Sequence, residues 1–167
     1  MKKYITKEEY FHMCKNFNKI THWNTYENRW DYHEQTINLL EKINFNTVLE
    51  AGTMGINVFK NSDTIDIQTK RWKLLYKPTY LHDLQIIPWP IKNKQYDVFI
   101  ALRVFHHLID KPEKYLNEMK RISNHIILSM PENKSTIYEK IEKPKKRIIC
   151  KSIREKSPNT ILIYYEV

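Results

Sequence analysis

Two acids and two glycines near the first third of this chain are spaced as a binding turn would need them. Thr47, Val48 and Leu49 form a short apolar, β-prone run that closes on Glu50, and a second run, Thr64-Ile65, closes on Asp66. Gly52 and Gly55 lie between them and are the only glycines in 167 residues, so the scarce backbone freedom is concentrated in one turn. A run ending in an acid, a glycine turn, a few helical residues from Ile56 to about Asn61, and another run ending in an acid is the pattern of a βαβ unit that receives a nucleoside. A tight turn without a ligand would also fit, and Asp63 stands near enough to compete with Asp66. Farther on, His106 and His107 follow the most apolar run of the sequence. A histidine there can act as a base because it titrates near neutrality, or can simply pack against or cap the next helix. Adjacent histidines also suit a metal, but no third ligand stands at a usual spacing, so none is expected.

The elements that would position these residues follow from periodicity. Lys7 to Phe17 places Tyr10, Phe11, Cys14 and Phe17 on one helical face, with Thr6 as the cap. A linker runs through Thr21, and Asp31 to Ile43 is a second helix with Ile37, Leu40 and Ile43 as its stripe. Strands are expected at Thr47 to Glu50, Thr64 to Asp66, Thr79 to Leu81, Tyr96 to Val104, His125 to Met130, Arg147 to Ile153 and Thr160 to Glu166. Gln68 to Lys77 reads as a short basic helix or loop, and Ile86 to Pro90 must be irregular because two prolines fix its backbone. Glu113 to Ser123 is helical after Asp110 and Pro112, and another helical patch surrounds Ile137 to Ile141. Strands alternating with helices, then two strands around a turn at Ser157-Pro158-Asn159, predict an α/β three-layer Rossmann-like sandwich. Its mostly parallel sheet of about seven strands is closed by an antiparallel C-terminal pair.

The length suits one domain, 1–167, divided into an N-terminal helical and aromatic segment, 1–45, and a Rossmann-like core, 46–167. No apolar run approaches the roughly 20 residues of a membrane helix and no secretory signal is visible, so the default expectation is a cytoplasmic protein without a membrane partner. Cys14 and Cys150 have no metal spacing and read most simply as reduced thiols. A net charge of +9 attracts anionic partners, nucleic acid among them, without choosing between them. The densest basic region, Lys140 to Lys156, is interrupted by Ile148, Ile149 and Cys150 and reads as a solvated edge strand guarded by lysines. The oligomeric state is not legible.

In the order of its elements and the residues at its strand ends, the chain resembles the class I S-adenosylmethionine-dependent methyltransferases, through local motifs from about Asn46 to Pro131. The motifs are Val48-Leu49-Glu50-Ala51-Gly52, Asp66, Asp83 in LHDL, Tyr96-Asp97, Val104-Phe105-His106-His107-Leu108, and Glu118 to Arg121 followed by His125 to Pro131. The resemblance implies S-adenosylmethionine as cofactor, held by Glu50, Gly52, Thr53, Gly55, Asp66, Asp83, Leu84 and Ala101. Asp66 would take the ribose hydroxyls, Asp83 would lie near the adenine, and His106 would be the catalytic base, with His107 structural. The family's turn carries further glycines where Met54 and Ile56 stand here. The aromatic residues Trp23, Tyr26, Arg29, Trp30 and Tyr32 would form a lid, an acceptor pocket, or a packing surface. Trp89 would lie on the ligand side. No Asn-Pro-Pro-Tyr signature of exocyclic amine methylation is present. The implied activity is O-methylation of a small molecule or glycan. An RNA- or nucleotide-directed enzyme and a non-catalytic methyltransferase-like partner protein are the alternatives.

Overall fold

A computed structural model describes residues 3–18, 29–67, 76–150 and 158–167. The linker through Thr21, Trp23 and Tyr26, the basic segment 68–75, and residues 151–157 lie outside the described residues. Seven strands form one sheet: β1 (Val48–Ala51), β2 (Asp63–Asp66), β3 (Tyr80–Leu81), β4 (Tyr96–Leu102), β5 (Ser123–Pro131), β6 (Lys146–Cys150) and β7 (Thr160–Glu166). Their order is β3-β2-β1-β4-β5-β7-β6. The first five are parallel, whereas β7 runs antiparallel between β5 and β6. This is the expected sheet, with the basic strand β6 at its edge.

Alternation along the strands separates two helical layers. Leu49, Ala51, Phe99 and Ala101 face α3 (Pro112–Ile122), which buries Tyr115, Leu116, Met119 and Ile122. On that same side α4 (Glu132–Ile141) contributes Tyr138, whose hydroxyl donates to the Leu108 carbonyl at 2.7 Å. Val48, Val98 and Ile100 face α2 (Trp30–Leu40) through Tyr32, Leu39 and Leu40. Each such large apolar side chain contributes about 1.5–3 kcal/mol relative to exposure. The helix α1 (Lys7–Asn18) packs Tyr10 and Cys14 on Ile5 and Ile56. It starts in a capping box: Glu9 N–H donates to Thr6 Oγ1 at 3.2 Å and Thr6 N–H to Glu9 Oε2 at 2.8 Å.

The helix expected from Ile56 to Asn61 is absent. Met54 and Gly55 both have positive φ, which breaks a helix, and Lys3 to Ile5 then captures the following backbone. Ile5 N–H donates to Val58 O and Lys60 N–H to Lys3 O, at 3.0 and 3.1 Å, so residues 58–60 are bridged instead of coiled. Strand β4 also ends two residues earlier than expected, and Arg103 leaves it with φ of 63°.

Two flagged motifs are structural clamps. Asp97 Oδ2 accepts from the N–H groups of Asn46 and Thr47, pinning the entry of β1 to β4; the Asn46 bond leads the effects that hold its carboxyl below the usual range. Glu118 is buried, accepts from Trp89 N–H at 2.6 Å and pairs with Arg121, whose guanidinium also reaches the carbonyls of Trp89 and Ile91. The proline-rich loop is thereby fastened to α3.

Candidate functional site

The carboxyl end of the sheet gathers the candidate residues. β1 stands between β2 and β4, so connections leave it in opposite directions, the switch point where open α/β sheets bind ligands. Gly52, at φ 63°, turns the chain there, and a Cβ on it would lie 2.5 Å from Val104 Cγ2. The exit of β4 is thus pressed against the glycine turn. Met54 takes the left-handed conformation, φ 54°, that a glycine would hold without strain. Its side chain packs toward α1 with Ile5, Tyr10 and Ile56. The substitutions at 54 and 56 are therefore absorbed largely by the α1 interface.

Asp66 ends β2 almost fully buried. Its Oδ2 accepts the Tyr76 hydroxyl at 2.8 Å and Met54 N–H at 3.2 Å, and its Oδ1 accepts Ile67 N–H at 2.9 Å. Burial raises its pKa against the opposing pull of those three bonds. Thr53 Oγ1 donates to the same Tyr76 hydroxyl at 3.2 Å, and the Tyr76 ring lies 3.1 Å from where a Gly55 Cβ would stand. The tyrosine therefore lies across the glycine turn with its hydroxyl on the aspartate. An aspartate that already receives an O–H fits the hydroxyls of a ribose, and the turn fits close approach of a ligand.

Glu50 is placed differently from Asp66. Both carboxylate oxygens accept backbone N–H groups, of Val58 and Phe59, at 2.9 and 2.8 Å. It closes the bridged segment that replaces the missing helix, and burial pushes its pKa up to about 7 despite those bonds. Asp83 lies two residues past β3, at the same edge, and its Oδ1 accepts Gln85 N–H. Leu84 is in the core beside Trp89, which is also buried and donates to the Leu84 carbonyl. Ala101 is fully buried, paired with Ala51 and Leu128.

His106 lies on a 3-10 turn, Phe105–His107, beyond β4. Its Nδ1 is buried without a hydrogen-bond partner among the described residues. Burial, then nearby positive charge, pushes its pKa down to about 3, so it is neutral near pH 7. A second histidine was not anticipated. His33 on α2 shares a cavity of about 30 Å³, room for about two waters, with Tyr10, Glu50, Gly52, Thr53 and Leu102. Its Nδ1 lies 3.0 Å from the Arg29 carbonyl, which accepts from the protonated ring nitrogen, and burial lowers its pKa to about 4. Its place four residues before Ile37 on the apolar stripe was the available signal. Trp30 packs beside α1 and Tyr32 reaches the same cavity, so the described part of the aromatic segment covers this end of the sheet.

No protein-family model matches the sequence, and no curated protein matches it. Solved structures do. The N-methyltransferase NodS from Bradyrhizobium japonicum is 15% identical with a TM-score of 0.56, over 83% of this chain and 95% of that one. The methyltransferase domain of a bacterial Hen1 is 13% identical with a TM-score of 0.59, over 83% and 99%. A provisionally named RNA methyltransferase from Pyrococcus horikoshii is 13% identical with a TM-score of 0.56, over 97% and 96%. The fold is that of the class I S-adenosylmethionine-dependent methyltransferases. Within the methyltransferase fold, the glycine turn, Asp66 and the exit of β4 occupy one rim, while the Glu50 carboxylate is occupied by the N–H groups of Val58 and Phe59, and Leu84 and Ala101 lie in the core.

Proposed function

We propose that the chain is an S-adenosylmethionine-dependent methyltransferase that methylates a hydroxyl of a small molecule or glycan. The observation that carries this reading is Asp66, a buried carboxylate accepting a hydroxyl beside a left-handed glycine turn at the switch point. The cofactor would be held by the turn Gly52 to Gly55, by Asp66, and by Asp83 beyond β3; Ala101, expected from the resemblance to share in this, is buried inside the sheet. Bound there, it supplies a methyl group on a positively charged sulfur. Burial around Ala101 and Ile56 excludes water, and His106, neutral near pH 7, is the proposed acceptor of the hydroxyl proton, a weak base while burial holds its pKa near 3. Calorimetric titration with S-adenosylhomocysteine tests the cofactor: saturable heat and a raised melting temperature are expected. No heat and no stabilisation at millimolar ligand would instead favour a non-catalytic partner protein.

A second reading, methylation of RNA or a nucleotide, draws on the net charge and on the Hen1 and Pyrococcus horikoshii likenesses. A groove of about 530 Å³ at the opposite end of the sheet, bordered by Lys42, Lys145 and Lys146, could track a phosphate backbone. RNA binding that weakens steeply with salt would favour it over the small-molecule reading.

A further inference from the structure

The amino end of the sheet carries a basic groove that methyl transfer at the opposite rim does not use. Side chains alternate along β5, β7 and β6, and Ile127, Leu162, Tyr164 and Cys150 pack in the layer with α2. Counting by twos along the strands, His125, Glu166 and Lys146 share that face, with His125 paired to Glu166 and Lys146 to Tyr164. Helix α2 ends at Leu40, and the chain turns through Lys42 to Asn44 toward β1, so this corner of the sheet lies past the helix end. The uncovered corner is a groove of about 530 Å³, with Leu39, Lys42, Ile43 and Asn44 on one wall and the strand residues, joined by Lys145, on the other. Leu39, Ile43 and the buried Tyr164 ring make it partly apolar. The Tyr164 hydroxyl lies 2.9 Å from His125 Nδ1, and burial leads the effects that lower the His125 pKa, so that ring is neutral near pH 7. Asp97, which bears on the same ring, already accepts from Asn46 and Thr47. The charged groups lining the groove are three ammoniums and one carboxylate, Glu166, which pairs with Lys145. Lys42 and Lys146 stand on opposite walls, both exposed and neither in an ion pair among the described residues.

We propose that this groove is a second ligand site, which takes a phosphorylated small molecule with an apolar body. Once Lys145 and Glu166 neutralise each other, two positive charges are left, and a phosphomonoester carries about −1.5 to −2 near pH 7, whereas a carboxylate would match only half of that surplus. Lys42 and Lys146 reach the phosphate oxygens from the two walls, and Leu39, Ile43 and the Tyr164 ring take the apolar part. The volume is that of a pocket for one small ligand, roughly 300–1,000 Å³. A single-stranded RNA would occupy about four nucleotides or more and would need a longer run of cations along its path. Along β5, His125 is separated from the rim end at Pro131 by about 20 Å at roughly 3.3 Å per residue, so the occupant is not the methyl acceptor. The site therefore stands whether or not the chain transfers methyl groups.

The test is a calorimetric titration of the whole chain with phenyl phosphate, inorganic phosphate and benzoate, at ionic strength held constant with chloride. Saturable binding of phenyl phosphate is expected, at least about threefold tighter than either of the others. Lys146→Met and, separately, Lys42→Met should each weaken it by at least about threefold with the melting temperature unchanged, because both side chains are exposed. Heat that never saturates, or an affinity that neither substitution alters, overturns the site. Inorganic phosphate binding as tightly as phenyl phosphate overturns the apolar body, and benzoate doing so overturns the phosphate. Tighter binding of a short single-stranded RNA that phenyl phosphate displaces, with a steep salt slope, overturns the small-molecule assignment. S-adenosylhomocysteine is titrated into the same variants. Unchanged binding there supports two separate sites, and binding lost with the lysines overturns their separation. Phenyl phosphate binding without S-adenosylhomocysteine binding keeps this site and removes the methyltransferase reading, and the reverse result does the opposite.

Discussion

Asp66 and Tyr76 carry opposite expectations although they share one hydrogen bond. On the proposed reading, in which Asp66 takes the ribose hydroxyls, Asp66→Asn removes the charge that strengthens that acceptance and should weaken S-adenosylhomocysteine binding by about tenfold or more in calorimetry. Tyr76→Phe frees the same oxygen from the tyrosine hydroxyl. Binding should tighten by about threefold to tenfold, because the ligand no longer displaces an internal bond. Weaker binding in this variant would mean that Tyr76 is itself a ligand contact. Of this pair only the aspartate was legible in the sequence, since it closes a β-prone run. Tyr76 stands ten residues later with no periodic relation to Asp66, and only the folded chain returns it to the glycine turn. Glu50 shows the reverse: it was read as the end of β1, which runs one residue further to Ala51, while the partners of its carboxylate depended on the absence of a helix that the local pattern had suggested.

At the scale of elements, the joints between strands and helices matter more than the helices themselves. Glu118→Ala would leave Trp89 N–H without its acceptor and Arg121 without its buried partner, loosening the loop that covers the β3 side of the sheet. Because Arg121 remains partly exposed, the cost should be about 2 kcal/mol in denaturant unfolding instead of the larger loss of a fully buried pair. Gly52→Ala combines a left-handed backbone with a contact against Val104, so it should cost about 1–3 kcal/mol and shift the Arg103 to His107 segment. Histidine side-chain spectra would reveal that shift. Strand β7 was readable to the residue at both ends, because its continuous apolar run is bounded by Pro158 before Thr160 and by the charged Glu166. The segment after Gly55 was not, because the residues that capture it, Lys3 to Ile5, are more than fifty positions away and too few to show a period.

For the whole molecule, buried titratable groups set a pH dependence of opposing signs. His33 and His106 have folded pKa values near 4 and 3, below their unfolded value, so the stability they confer is complete above pH 6.5 and lost as pH falls through those values. Glu50, raised to about 7, acts oppositely: its contribution is complete below pH 4.5 and lost as pH rises through 7. Unfolding measured against pH should accordingly flatten on its alkaline side in Glu50→Gln, and lose part of its acid sensitivity in His33→Gln. The sequence by itself determined the α/β class, the strands and the faces of the helices, because hydrophobic periodicity is a local property that burial on a sheet must satisfy. The tertiary structure alone decided which groups each acid meets and how deeply His33 and His106 are buried. Those outcomes depend on which distant backbone or side chain arrives within hydrogen-bonding distance, and no spacing along the chain encodes that.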